Sequence, residues 1–579
     1  MRAQVIHNDF NQNNLLVDPA DQATITGLLD FGDMIFAPLI NDLAIAISHH
    51  LYGEPDVLEE MANMTDAYHQ VVPLDESKVD CLPDLIAARL ASREIIVNWR
   101  VAQRGDTGSY DAKVSEMTWE ALSCVMDIDA KAATRRLHDA CGYPSKIQVA
   151  TPAETLLERR KRILGPTAKQ FYERSFHPVR AQGVWVYDES GKRYLDAYNN
   201  VPHVGHCHPH VTAAITRQTN RLNTNTRYLD ETILNYTERL TATTPGGLDT
   251  VVLVCTGTEA NDLAWQVAQA WSGGSGAITT DSAFHGNSTF VGRLDTYTLS
   301  VERREKWIAT VGAPRFPGRI VANQKHAPVT EFAREFDAAI DALRSYGHEP
   351  AAFYMCPLFA SDGLFSPPNG YMAEAIERVR RSDALIVCDE VQSSFGRTGD
   401  DMWGYQALGI TPDIVTLGKP IGNGHPLGAL VTRREIMERF AQSERYFNTF
   451  GGNPVACAAG LAVLDVLERE DLLSNARVVG AYLRSGLESL ATVSPLVSDV
   501  RGRGLFLGVD LAVDGHPAPK VARQVIEEMH HRGVLIGITG AGRNLLKVRP
   551  PMCVSKTNAD QIVETLGAVL QSDAVKSAQ

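Results

Sequence analysis

Leu385-Ile386-Val387-Cys388-Asp389-Glu390-Val391-Gln392 reads as a short strand, an apolar run that passes without a turn into a carboxylate, Asp389. A continuous apolar run of this kind suits a strand covered on both faces, as in a parallel sheet. Ile414-Val415-Thr416-Leu417-Gly418-Lys419-Pro420 repeats the pattern and ends in a lysine. Outward from these two, strands are expected at Val251 to Cys255, Gly276 to Thr279, Ala352 to Met355 and Ala429 to Val431. Helices are expected at Asn261 to Trp271 and Tyr371 to Arg381. The alternation predicts an α/β fold, a largely parallel sheet covered by helices. Ligands in such sheets bind beyond the carboxyl ends of the strands, where Asp389 and Lys419 fall.

Two further stretches suit a phosphorylated planar heterocycle. Thr256-Gly257-Thr258-Glu259-Ala260-Asn261-Asp262 follows one strand and opens a helix, so its first N–H groups and the positive end of the helix dipole are offered to a phosphate. Phe284-His285-Gly286 sets an aromatic ring beside a small-residue turn, able to lie against a flat ring. A carboxylate at Asp389 can keep a pyridine nitrogen protonated. Val391 can pack under the ring and Gln392 can donate to a phenolic oxygen. Desolvation of Lys419 lowers its pKa and frees the amine for Schiff-base chemistry.

With these motifs in order, residues from about 155 to 570 resemble a class III (ω-type) aminotransferase of the fold-type I pyridoxal phosphate enzymes. The resemblance extends to Gly183-Val184-Trp185-Val186-Tyr187-Asp188, to Phe447-Asn448-Thr449-Phe450-Gly451-Gly452-Asn453-Pro454 and to Val548-Arg549-Pro550-Pro551-Met552. It implies pyridoxal 5′-phosphate as cofactor, with Lys419 as the Schiff-base lysine and Asp389 on the ring nitrogen. Gly257, Thr258, Phe284, His285, Val391 and Gln392 are the other cofactor contacts. Thr449 would reach the cofactor phosphate of a neighbouring subunit, which implies a homodimer with shared active sites. It also implies a large cofactor domain at about 225–465 and a small α+β domain from about 155–224 and 466–579.

Asn199-Asn200-Val201-Pro202-His203-Val204-Gly205-His206-Cys207-His208-Pro209 is similar to the branch containing ethanolamine-phosphate phospho-lyase. Many family members carry an arginine for the substrate carboxylate three residues before the Pro-Pro pair. Here that place is Lys547, and Arg549 sits just before Pro550. A lysine is a point charge without the bidentate fork, so an amine with a more distant acid group is admitted. Lys547 and Arg549 are the candidate substrate-binding residues. The expected reaction moves an amino group from an amine or amino acid to a keto acid or aldehyde. The alternative is elimination from a phosphorylated or otherwise β-substituted amine.

The first 145 residues read differently. His7-Asn8-Asp9-Phe10-Asn11-Gln12-Asn13-Asn14, followed by Asp30-Phe31-Gly32-Asp33, resembles the catalytic and metal loops of the aminoglycoside phosphotransferase/choline kinase family. There Asp9 would be the base, and Asn14 and Asp30 would hold magnesium. Asp42 would support the loop. Nothing ahead of these loops reads as a Gly-rich loop or a nucleotide-pairing lysine, so the expectation is a vestigial, truncated and mainly α kinase-like fragment. A phosphotransferase is the alternative of another class. Helical spacing from Pro38 to about Leu137 stops at Cys141-Gly142-Tyr143-Pro144-Ser145, the expected domain break, and a charged helix over Glu154 to Arg162 follows.

Composition narrows the function further. The 579 residues hold 55 Lys and Arg against 69 Asp and Glu, a net charge of −14, with 44% hydrophobic and 21% charged residues. That balance fits a soluble, folded protein of more than one domain and lacks the basic footprint of nucleic-acid binding. Nine scattered cysteines with no CxxC pair read as reduced thiols, and His206-Cys207-His208 lacks a second cluster to complete a metal site. With no signal-like or membrane-length apolar run, a cytoplasmic enzyme is expected, with neither membrane nor nucleic acid as partner.

Overall fold

The computed structural model describes residues 3–21, 24–104, 110–143, 153–167, 169–315 and 329–578, and the chain divides into two compact units, Met1–Pro152 and Ala153–Gln579. The break expected near residue 145 falls among residues 144–152, outside the described residues.

The second unit is built on a seven-stranded sheet in the order Ile308–Val311, Gly276–Thr280, Pro350–Met355, Leu385–Asp389, Ile414–Leu417, Gly428–Thr432, Thr250–Val254. Neighbours are parallel up to Ile414–Leu417, and Gly428–Thr432 runs antiparallel to both of its neighbours. Every residue of Leu385–Asp389 is buried, which is why an unbroken apolar run, not an alternating one, encodes it. The Asp413 carboxylate accepts from the Ile386 N–H at 2.8 Å and pairs with Arg433 at 2.9 Å, pinning the start of strand Ile414–Leu417 against its neighbour.

The helix Gly257–Ser272 begins where the Thr256 side chain accepts from the Glu259 N–H at 3.1 Å, while Glu259 accepts from the Cys255 N–H at 2.9 Å. This reciprocal cap fixes the first turn at the sheet edge. Ala260, Leu263, Ala264, Val267 and Ala268, at spacings of three and four, bury its inner face. Gly273, at φ 70°, ends it in the left-handed region.

Two smaller sheets complete this unit. One orders Val534–Leu535, Arg193–Asp196, Trp185–Asp188 and Pro178–Gln182, and joins segments from both ends of this unit. The other is antiparallel and orders Val497–Arg503, Phe506–Val513, Leu545–Val548 and Gly537–Thr539. Lys547 stands in register with Gly508 on one side and Gly537 on the other.

The first unit has two antiparallel ribbons, Ala3–Ile6 with Ile35–Pro38 and Leu15–Val17 with Ile25–Leu28. The helices Ile40–His50, Val57–Val71, Glu76–Arg104, Tyr110–Asp127 and Ala130–Ala140 follow. Leu43, Ile47, Met61, Leu82, Ile86 and Leu90 form its core. Among the described residues no helix is long and apolar enough to cross a membrane, and no cluster of three His, Cys, Asp or Glu side chains could hold a metal ion.

Candidate active site

The carboxyl ends of the parallel strands meet at a cavity of about 380 Å³. Strand Thr250–Val254 delivers Gly257 and Thr258, strand Gly276–Thr280 delivers Phe284 and His285, strand Leu385–Asp389 delivers Asp389, Val391 and Gln392, and strand Ile414–Leu417 delivers Lys419. These expected cofactor contacts thus line one space. Cys356 and Asp362, from the loop after Pro350–Met355, line it as well.

Lys419 follows Gly418, and it takes φ 37°, a conformation rare for a side-chain-bearing residue and characteristic of functional sites. A Cβ at Gly418 would stand 2.9 Å from the Gly257 nitrogen. The lysine turn and the helix-opening turn are therefore in backbone contact, which only glycine allows. The side chain of Lys419 opens into the cavity although protein surrounds it. Burial pulls its amine below the usual lysine range, Asp389 partly restores it, and Arg549 adds to the lowering.

Asp389 is held by donors alone. His285 Nδ1 lies 2.8 Å and Asn261 Nδ2 3.1 Å from Oδ2, and the Val391 N–H donates to Oδ1 at 3.0 Å. Asn261 also donates to the His285 carbonyl at 2.8 Å and accepts from the Thr416 hydroxyl at 2.7 Å. Tyr354 donates to its backbone carbonyl at 3.0 Å. Asn261 thereby ties the helix, the loop carrying His285 and two strands to one carboxylate. No motif singles it out in the sequence, because its role exists only once strands Leu385–Asp389 and Ile414–Leu417 lie side by side.

Below this group, His203 Nε2 donates to the Phe395 carbonyl at 2.7 Å and Nδ1 accepts from Arg397 Nη2 at 3.0 Å. That pair of bonds requires neutral imidazole, in line with burial and the neighbouring Arg397 pushing its pKa down. Arg397 also donates to the carbonyl of Pro550.

Lys547, Arg549 and Thr449 stand outside the cavity lining. Lys547 is buried, and burial followed by repulsion from Arg549 and Lys419 holds its amine well below the ordinary range. Arg549 is buried too and held near 10 by desolvation. Thr449 is exposed, beside Phe450 at 72% exposure.

Asp362 adds a pH-dependent charge that no motif announced. It accepts from Thr280 Oγ1 at 3.0 Å and from the Ser282 N–H at 3.2 Å, and burial pushes it up to about 6. It is neutral below that pH and anionic above, so it repels an anionic ligand more strongly as pH rises. Between pH 5 and 7, affinity for a phosphorylated cofactor is expected to fall about three- to tenfold more in the wild type than in Asp362→Asn. Titrating both apo-proteins with the cofactor by fluorescence measures the difference, and parallel curves would refute it.

In the first unit the loop residues are assembled. Asn14 Nδ2 donates to the Asp9 carbonyl at 2.9 Å and to its carboxylate at 3.2 Å, and Asn11 donates to the same carboxylate oxygen at 3.1 Å. Arg89 and His49 each stand 3.7 Å from Asp9. Asp42 accepts from the Asn8 N–H at 2.9 Å, the supporting contact expected of it. Asp30 is exposed at φ 58°, and His7 bonds the carbonyl of the preceding residue, Leu29, at 2.9 Å.

Residues 168–570 match the aminotransferase class-III family and residues 1–78 the phosphotransferase enzyme family. An alanine–glyoxylate aminotransferase 2-like protein of Drosophila melanogaster is 36% identical over 432 residues, covering 72% of this chain and 87% of that one. Ethanolamine-phosphate phospho-lyase homolog 1 of Caenorhabditis elegans is 35% identical over 436 residues, covering 72% and 93%. Among solved structures, a phospholyase from Arthrobacter in complex with phosphoethanolamine is 41% identical with a TM-score of 0.69, covering 72% of this chain and 99% of that one.

Proposed function

The chain belongs to the class-III aminotransferase family, and from that premise we infer a pyridoxal-phosphate enzyme whose chemistry centres on Lys419. The residues at the cavity fit the cofactor: a carboxylate braced only by donors, a lysine inclined to neutrality, a helix start and an aromatic ring border one space. Lys419 would hold the cofactor's aldehyde covalently, Asp389 would pair with the pyridine nitrogen, and the N–H groups at Gly257 and Thr258 would take the phosphate. Phe284 and Val391 would flank the ring, His285 would brace Asp389, and Gln392 would donate to the phenolic oxygen. Bound there, the cofactor supplies an electron sink for cleavage of a bond at the substrate's Cα.

Within that frame Lys419 is the general base. Its neutral amine accepts the Cα proton, and desolvation raises the neutral fraction available for this at physiological pH. Asp389, fixed from three directions, keeps its charge aimed at one place throughout. The reaction is transamination, moving an amino group from an amine donor to a keto acid or aldehyde. The observation that carries the cofactor reading is Lys419, in the left-handed turn after strand Ile414–Leu417, lining one cavity with the braced carboxylate of Asp389, and the class-III aminotransferase match over residues 168–570 favours transamination within it. Thr449, exposed beside the exposed Phe450, would complete the site of a partner subunit in a homodimer.

One observation favours a second reading, elimination of phosphate from a β-phosphorylated amine. Lys547 and Arg549 are buried basic side chains; the Arg549 charge meets neutral oxygens, on Gln392 and Tyr198, and the Lys547 amine, held well below its ordinary range by burial, lies over the Phe506 ring. An anionic substrate group would offset that charge. Incubating the loaded full chain with primary amines, phosphoethanolamine among them, and with pyruvate separates the two. Alanine formation without phosphate release is the expected result. Phosphate and ammonia released without alanine would replace transamination by elimination.

A further inference from the structure

Arg549, for which a substrate role is expected, carries an inference about the cofactor site. It is 4% exposed and its backbone N–H donates to the Ala197 carbonyl at 2.7 Å. Nε donates to the Tyr198 carbonyl at 3.2 Å, and Nη1 donates to Gln392 Oε1 at 2.5 Å. The guanidinium carbon lies 4.9 Å from the centre of the Phe506 ring and 5.5 Å from that of Tyr198. Backbone, side-chain oxygen and two rings therefore leave the guanidinium a single placement.

The chemistry of that contact fixes the amide. Arginine has donors and no acceptor, so the Gln392 atom facing it has to be the carbonyl oxygen. The amide nitrogen is then the opposite end, and Gln392 lines the cavity. We propose that Arg549 is a positioning residue that locks the Gln392 amide with its N–H bonds toward the cavity, so that residue 392 acts as a donor to the phenolic oxygen of the cofactor. Without that lock the amide can turn over at little cost, because its two ends are nearly equal in size. A carbonyl would then meet the phenolic oxygen, acceptor against acceptor. The proposal rests on the cofactor reading at Lys419.

The test is a pH titration of the visible band of the cofactor-loaded full-length protein without substrate. A donor to the phenolic oxygen favours its unprotonated form, so losing the donor raises the midpoint. Gln392→Leu and Arg549→Met are each expected to raise it by about one pH unit, the size of one hydrogen bond to a charged group. The double variant is expected to show that same shift and not the sum. Gln392→Glu, which keeps an acceptor for Arg549 but removes the donor, is expected to raise it as well. If Arg549→Met fails to fold, Arg549→Lys replaces it, with a shift in the same direction expected from loss of the planar fork.

Additive shifts in the double variant would overturn the proposal, since they would mean that Arg549 acts through its charge and not through Gln392. An unchanged midpoint in the Arg549 variants, with a raised KM for the amine, would overturn it by assigning Arg549 to the substrate. A wild-type protein that shows no visible band would remove the cofactor reading itself and this proposal with it.

Discussion

Lys419→Ala is expected to lose the visible absorbance of bound cofactor and about 10⁴-fold or more of turnover. Two roles end together, the covalent anchor and the base. No other lysine among the described residues lines the cavity. Lys547, coupled to Lys419 through charge, stands in a different sheet between Gly508 and Gly537. It is not among the residues that line the cavity. The substitution itself should be well tolerated, because the side chain ends in the cavity and not in the packed core, and alanine at φ 37° is no more strained than lysine. Spectrum, turnover and melting curve on one preparation make the check. An intact melting curve with turnover within tenfold of wild type would contradict the assignment.

Asp389→Asn is expected to slow turnover about 10³-fold while leaving the protein folded and able to bind cofactor. An amide cannot keep a pyridine nitrogen protonated as a carboxylate does, so the electron sink weakens. The change also disturbs the surrounding bonds. His285 and Asn261 both point donors at Oδ2, and the Val391 N–H points at Oδ1. Whichever way the new amide turns, its N–H₂ meets at least one of these donors, and a buried donor left unsatisfied costs about 1–3 kcal/mol. The loss should appear in kcat more than in KM, because the substrate's own contacts are elsewhere. Steady-state kinetics with cofactor in excess test this, and a kcat near wild type would show that Asp389 does not face the ring nitrogen.

The placing of Asp389 and Lys419 at strand ends beside the cavity was legible in the sequence because each closes an apolar run of the kind a buried strand needs, and strand ends are where such folds bind ligands. The turn at Gly257 was legible for a similar reason, since a capped helix start has its own residue pattern. Strand Ile308–Val311 was passed over. It is short, sits at the sheet edge and owes its state to pairing with Gly276–Thr280 rather than to its own residues. The ribbon partner of Ala3–Ile6, Ile35–Pro38, was missed likewise, because antiparallel pairing across that distance leaves no local trace.

The less legible part of the site follows the same rule. Asn261 reads as an ordinary helix residue until Thr416, His285 and Asp389 are brought round it. Asp362 and Cys356 lie in a loop whose sequence has no turn signature for a ligand. Arg549 was assigned from its place before Pro550. Its actual neighbour, Gln392, is set by backbone bonds to Ala197 and Tyr198 from the other end of the unit.

The central claim, that Lys419 anchors the cofactor, is tested most directly by reducing the loaded protein with borohydride and locating the trapped pyridoxyl group by peptide mass spectrometry. The account predicts one modified residue, Lys419, in the peptide that follows strand Ile414–Leu417. A pyridoxyl group on another lysine with Lys419 unmodified would contradict it.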